Sequence, residues 1–200
     1  MSGGFSEVER ERIKERLVEE GRDLFSHYGL KKTTIADLTE PVGIAPSTFY
    51  QFFDSKDELY FEILGREAEQ LEDVLLEPLE SNDDPEKAIV EFLSGLMEVY
   101  ETNPLIRAVA LDPQEVERLQ REFPEDEAAE ARQEGLNYLL PYVEEWYDAG
   151  TVDGPSPEIV ANAIRSIPVL ILHRDKIGPE RYDETRDLVI RAFAKGLVSS

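Results

Sequence analysis

Between Gly43 and Lys56 the chain reads GIAPSTFYQFFDSK, and its polar residues recur at a spacing suited to gripping a polyanion. Pro46 opens a short helix whose early exposed positions are Pro46, Ser47, Thr48, Tyr50 and Gln51. The Gln51 carboxamide can pair with both edges of an adenine, and the Ser47 and Thr48 hydroxyls serve bases or phosphates. Tyr50 carries its hydroxyl at the end of a rigid ring. Lys56, beside the start of the next helix, adds its charge to a helix end that already favours phosphate. On the other flank Lys31, Lys32, Thr33 and Thr34 can hold a nucleic-acid backbone. Phe49, Phe52 and Phe53 read as the apolar anchor of the small helix.

The rest of the chain is poor in reactive groups. It has no cysteine and two distant histidines, His27 and His173. Disulfides and thiolate metal sites are therefore excluded, and no Ser-His-Asp set, glycine-rich phosphate loop or metal-ligand spacing is present. The expectation is a protein that is not an enzyme and needs no metal or cofactor. The acidic runs PEDEAAEARQE and SNDDPE lack the alternating aspartates and central glycine of a calcium loop and read as solvated faces.

The elements that must position these residues are helical throughout, so the fold class is all-α. Apolar residues recur at three and four, and hairpin signals between β-branched runs are missing. Ser6 caps a first helix ending at Tyr28, where Gly29 suits a left-handed residue past the last turn. Thr34 caps a short helix reaching Thr39, with Pro41 and Gly43 breaking the chain before a second short helix over Pro46 to Phe53. Ser55 begins a long helix ending near Pro78. Further helices are expected at Pro85–Thr102, Pro104–Leu111, Pro113–Glu122, Pro124–Ala149 (kinked at Pro141), Pro157–Lys176 and Pro179–Val198, with proline at or near many starts. Two short helices around a Gly43 turn describe a helix-turn-helix, whose second helix lies in the major groove. The expected domains are a three-helix head, residues 1–56, and a larger helical body, 57–200.

The stretch LVEEGRDLFSHYGLKKTTIADLTEPVGIAPSTFYQFFDSKDELYFEIL resembles the DNA-binding domain of TetR/AcrR-type transcriptional regulators over about fifty residues. The matching features run in order: Gly21 with Leu24-Phe25, Gly29, Thr33-Thr34, Asp37-Leu38, Gly43-Ile44, Ser47 to Tyr50, Phe53, Ser55-Lys56 and Leu59. The resemblance implies a homodimer whose heads read two half-sites of a double-stranded DNA operator. A helical body would bind a small effector and change the separation of the heads, most often to release repression. It carries phosphate and base contacts onto Thr34, Pro46, Ser47, Thr48, Tyr50, Gln51 and Lys56. Three positions depart from the pattern. Ala36 stands where Arg or Lys is frequent, Ala45 where a capping hydroxyl is usual, and Pro41 where Ala is normal and should end its helix early. An uncapped start costs about 1 kcal/mol, partly offset by Pro46. These departures leave open a second reading, an effector-binding helical protein acting through a protein partner.

In the body, Val160, Ile164, Ile167 and Ile171 form one apolar stripe and Leu188, Val189, Ala192, Phe193 and Leu197 another. Paired with a second copy they would make a four-helix bundle; alternatively both face their own core. Leu93, Met97, Tyr100, Tyr138, Tyr142, Trp146 and Leu170, with His173, are the candidates for an effector pocket suited to an apolar or aromatic molecule.

Charge divides unevenly. The chain carries 44 acidic and 21 basic residues, yet residues 1–56 hold 10 and 8 of them. A carboxylate-rich surface stays hydrated where salt screens charges over about 3 Å at 1 M, which points to a halophilic source, the alternative being an ordinary acidic mesophilic protein. The charged N-terminus has no signal-peptide core and no apolar run is long enough to cross a membrane, so the expectation is a cytoplasmic protein.

Overall fold

The computed structural model describes residues 5–111, 138–171 and 174–199. Helices make up the described chain, with one isolated bridge between Val152 and Val198. They are α1 (Glu7–Lys32), α2 (Ile35–Val42), α3 (Pro46–Phe49), α4 (Lys56–Ser81), α5 (Pro85–Thr102), α6 (Pro104–Leu111), α7 (Leu140–Asp148), α8 (Pro157–Ile171), α9 (Arg174–Ile177) and α10 (Tyr182–Leu197). Among the described residues none is long and apolar enough to cross a membrane. Contacts divide the chain into two compact units, Met1–Gln70 with Asn103–Ile106, and Leu71–Thr102 with Arg107–Ser200.

The first unit is organised by reciprocal caps. The Ser6 hydroxyl accepts from the Glu9 amide at 3.2 Å while the Glu9 carboxylate accepts the Ser6 amide at 3.0 Å, so two of the orphan donors at the start of α1 are satisfied. At the start of α4 the Ser55 hydroxyl accepts from the Glu58 amide at 3.0 Å, while the Glu58 carboxylate accepts from the amide of Asp54, one residue further back. Gly29 takes a φ of 74° and breaks the helical backbone, yet α1 resumes for one more turn to Lys32 instead of ending at Tyr28. Leu17, Phe25, Leu38, Phe49, Leu59 and Ile63 bury completely or nearly so in one cluster. Gly21 lets α4 come close, because a Cβ there would lie 3.0 Å from Ile63 Cδ1 and 3.1 Å from Leu59 Cδ2.

One charge is buried in this unit. Glu67 accepts from the Arg22 guanidinium and, at 2.6 Å, from the Asn103 amide, whose own oxygen accepts from the Leu105 and Ile106 amides at 3.1 and 3.2 Å. Burial pushes the Glu67 carboxyl up, but the Arg22 and Asn103 bonds outweigh it and hold it below the usual carboxylate range.

The second unit packs α5 against α10 and α7 against α8. Leu93, Met97, Val143, Trp146, Val160, Ile164 and Ile190 form its centre. Arg186 of α10 reaches Glu101 of α5 at 3.1 Å. Pro78 does not stop α4, which runs to Ser81; the turn is made by the following Asn82, whose amide donates to the Pro78 carbonyl at 2.8 Å. The described part of α7 begins at Leu140, so Pro141 sits in its first turn, where no helical N–H is needed. The Pro113–Glu122 helix and the first part of Pro124–Ala149 lie outside the described residues.

The Glu67 pair sets a pH-dependent stability. A depressed carboxyl contributes fully above its ordinary pKa, near 4.5, and the contribution is lost as pH falls through the folded value. Glu67→Gln should cost about 2 kcal/mol at neutral pH, as expected for hydrogen bonds to a charged group. Thermal melts of both proteins at falling pH should show the difference shrinking as the wild-type carboxyl protonates. A gap that stays constant into strong acid would place the effect elsewhere.

Candidate nucleic-acid interface

The interface is assembled at two helix starts and one tight turn. The Thr34 hydroxyl accepts from the Asp37 amide at 3.2 Å and donates to the Asp37 carboxylate at 2.6 Å, which also takes the Thr34 amide at 2.8 Å. The Thr34 hydroxyl and then its amide hold the Asp37 carboxyl below its usual range. Helix α2 continues through Pro41 to Val42, three residues beyond the end at Thr39 expected from sequence. Only one backbone bond is lost there, and Gly43 supplies the stop: at φ 79°, ψ 30° its amide bonds the Thr39 and Glu40 carbonyls at 3.0 and 3.1 Å.

Ala45 makes no side-chain cap and Pro46 occupies the first turn of α3, as the sequence implied. Helix α3 is a single turn, shorter than the expected span to Phe53. The chain goes on in tight turns, with the Gln51 amide bonding Thr48 at 3.0 Å and the Phe52 amide bonding Phe49 at 2.9 Å. Phe49 is 0% exposed and Phe53 nearly so. That inward anchoring leaves Pro46, Ser47, Tyr50 and Gln51 exposed, with Thr48 half-buried. The Tyr50 ring stands edge-on to Phe49 at 5.6 Å and is 57% exposed.

Beside this edge lies a cleft of about 420 Å³ lined by Lys31, Thr33, Thr34, Ile35, Tyr50, Asp54, Ser55, Lys56 and Asp57. Thr34, Tyr50 and Lys56 are thus brought together, and Lys32 is exposed on the preceding turn. Two of the expected contact residues turn inward. Thr33 is 2% exposed and its hydroxyl donates to the Gly29 carbonyl at 3.0 Å. Lys56 Nζ donates to the Leu30 and Thr33 carbonyls at 2.6 and 2.8 Å. The physical reason is the break at Gly29, which leaves carbonyls at the end of α1 without helical partners. Sequence reasoning missed Asp54 and Asp57 as lining residues. It also missed Arg10 and Arg16, whose backbone partners lie 41 and 25 to 26 residues away, beyond the reach of any local pattern.

In the second unit Leu93, Met97 and Trp146 share the buried centre, with Tyr100 and Tyr142 packed against it. Burial pushes the Tyr100 phenol up against an opposing pull from Arg165. Tyr142 donates to Glu80 at 3.0 Å, and Tyr138 is largely exposed, apart from this group. The Leu170 and Ile171 side chains and all of His173 lie outside the described residues. Of the stripes weighed for a dimer, Val160, Ile164 and Ile167 are buried in the chain's own core. Leu188, Val189 and Ala192 are exposed, with Phe193 and Leu197 half-buried.

Phe49 and Tyr50 should separate cleanly. Phe49→Ala removes a fully buried ring and should cost about 3–5 kcal/mol, whereas Tyr50→Ala should stay within about 0.5 kcal/mol of the parent, as for other surface changes. Chemical unfolding of the two variants reads both; equal losses would mean that Tyr50 is a core residue.

Residues 17–63 match the sequence model of the bacterial regulatory proteins of the tetR family. The uncharacterized HTH-type transcriptional regulator YhgD of Bacillus subtilis strain 168 is 24% identical over 183 residues, 86% of this chain and 89% of that protein. A regulator from Saccharomonospora viridis, solved with choline, superposes with a TM-score of 0.75 at 15% identity over 95% of this chain and all of its own (100%). AibR, solved with isovaleryl coenzyme A and operator DNA, gives 0.65 at 12% identity over 89% and 96% of the two chains. At those identities the structures report a shared fold. The head, over residues 17–63, is thus similar in sequence to the tetR family of bacterial regulatory proteins, and the helical architecture is one shared with solved regulators.

Proposed function

We propose that this chain is a dimeric, sequence-specific DNA-binding repressor released by a small apolar or aromatic effector. The observation that carries the reading is the Pro46–Gln51 edge: the Ser47 hydroxyl, a carboxamide and a phenol exposed together beside half-buried Thr48, without a carboxylate among them. Laid in a major groove, such an edge meets base edges by hydrogen bonding, and the flanking cleft at the starts of α2 and α4 meets phosphate. The head, the first compact unit, supplies this surface. In the body, the Leu93, Met97 and Trp146 centre with Tyr100 and Tyr142 is the place for the effector, consistent with AibR and the Saccharomonospora viridis protein each binding a small molecule in their solved forms. Exposed Leu188, Val189 and Ala192 of α10, with exposed Ile159 of α8, are the surface for the second copy. The acidity outside the head suits work in a salt-rich cytoplasm.

A second reading has a specific observation behind it. Ala36 is exposed near the start of α2 without a charge to offer, and Ala45 leaves α3 uncapped. A head so weakened would act through a protein partner.

Selection of genomic fragments by the purified protein, in KCl raised from about 0.2 M to about 2 M to screen surface charge, decides between them. Enrichment of a discrete palindromic site, lost with Tyr50→Ala, is expected. Folded dimer that enriches nothing at any salt, with or without cell-extract small molecules, would leave the partner reading in front. Leu188→Glu should convert the dimer to monomer by sedimentation, since a carboxylate in a bundle seam loses its hydration without a partner. A dimer surviving that change would move the interface off α10.

A further inference from the structure

The last carbonyls of a helix have no partner within it, and in a head of short helices they are a large share of the backbone. Here side-chain cations reach carbonyls at the ends of α1 and α2 and in the turn that follows α3. Lys56 reaches Leu30 and Thr33 at the end of α1, at 2.6 and 2.8 Å. Arg16 forks onto Pro41 and Val42 at the end of α2, the latter at 2.9 Å. Arg10 donates to Gln51 at 2.8 Å, where the chain leaves α3, and its guanidinium lies 5.1 Å from the centre of the Phe52 ring. Lys56 and Arg16 also sit at the negative ends of the α1 and α2 dipoles.

We propose that Arg10, Arg16 and Lys56 are positioning residues of the reading surface, setting the angle of α2 and α3 to the DNA without neutralising phosphates themselves. The proposal rests on the DNA-binding reading above and deepens it, because it assigns the head's affinity to geometry and hydrogen bonding more than to counterion release. Lys56 bears most directly on this: its position beside the cleft suggests a phosphate contact, while two of its three donors point into the protein. Three further head cations are held by carboxylates, Lys14 by Glu62, Arg22 by Glu67 and Arg66 by Glu15 and Glu62. Lys32, exposed on the same flank, has the placement of an ordinary phosphate contact.

The two roles leave different marks on binding. Loss of a phosphate contact weakens all sequences alike and lowers the slope of log affinity against log salt by about one for each contact. Loss of a positioning group weakens the correct site selectively and leaves the slope alone. The probe is a labelled duplex of the site recovered by genomic selection, beside a scrambled duplex of equal length, titrated by anisotropy across KCl concentrations. Arg10→Met, Arg16→Met and Lys56→Met should each weaken the recovered site tenfold or more, leave the scrambled duplex within about twofold, and keep the wild-type slope. Lys32→Met should weaken both duplexes and flatten the slope. Arg16→Lys keeps the charge but not the fork, and should lose affinity for the recovered site as Arg16→Met does. Lys56→Met behaving as Lys32→Met, or Arg16→Lys binding as wild type, would overturn the proposal.

Thermal melting supplies the arm that needs no DNA. The three methionine variants should melt lower by roughly 5 °C each, as loss of bonds to helix-end carbonyls requires in a chain of this size. If wild type binds no duplex at any salt, the DNA-binding reading falls, and variants that also melt like wild type overturn the clamps themselves.

Discussion

A one-turn helix has no stability of its own, and the surface proposed to read DNA is built on one. Nucleating a helix fixes several backbone angles for a single hydrogen bond, so four residues such as Pro46–Phe49 persist only where something else holds them. Phe49 supplies the main hold by complete burial, and Phe53 packs against it with ring centres 5.8 Å apart. Gly21 contributes from a distance: without a Cβ it admits Leu59 and Ile63 of α4, and the cluster that receives Phe49 forms around that close approach. The exposed edge from Pro46 to Gln51 is thus the outer side of a residue pattern whose inner side is core. The proposed binding chemistry and the folding role are thus divided between neighbouring residues of one turn.

The division of charge follows from the same scarcity. A head with 8 basic and 10 acidic residues in its first 56 has little positive charge to offer a polyanion, and much of what it has is engaged inside. Asp54 and Asp57 on the cleft reduce it further. In concentrated salt this arrangement loses little, because counterion release then drives binding weakly for any protein, and hydrogen bonds and apolar contacts persist.

What was legible in the sequence was what depends on neighbours. The Ser6 and Thr34 caps, the Gly29 and Gly43 positions, the uncapped Ala45 and the starts at Pro85, Pro104 and Pro157 all rest on contacts within a few residues, and the structure has each of them. What was not legible depends on distant partners. Lysine next to a helix start reads as an anion site, and only the fold brings the Leu30 and Thr33 carbonyls, 26 and 23 residues back, under its ammonium. Thr33 and Thr34 are adjacent in sequence and opposite in fate, one buried and one exposed. Pro41 was over-read: near the end of α2 it removes one bond, and Gly43, two residues on, decides where the helix stops.

The body shows the same limit in its apolar periodicity. A stripe at three and four says that a helix face avoids water and is silent about which chain covers it. Val160, Ile164 and Ile167 repeat as cleanly as any dimer seam, yet they are covered by α5, α7 and α10 of their own chain. The uncovered apolar residues of α10 break that rule of tidiness, since Leu188, Val189 and Ala192 flank the buried Ile190 and so widen the apolar face past what one core requires. A helix that is apolar beyond the arc its own core covers has room for a second neighbour, which is the role proposed for α10. The width of the face, more than its period, is therefore the feature that distinguishes a shared helix from an internal one.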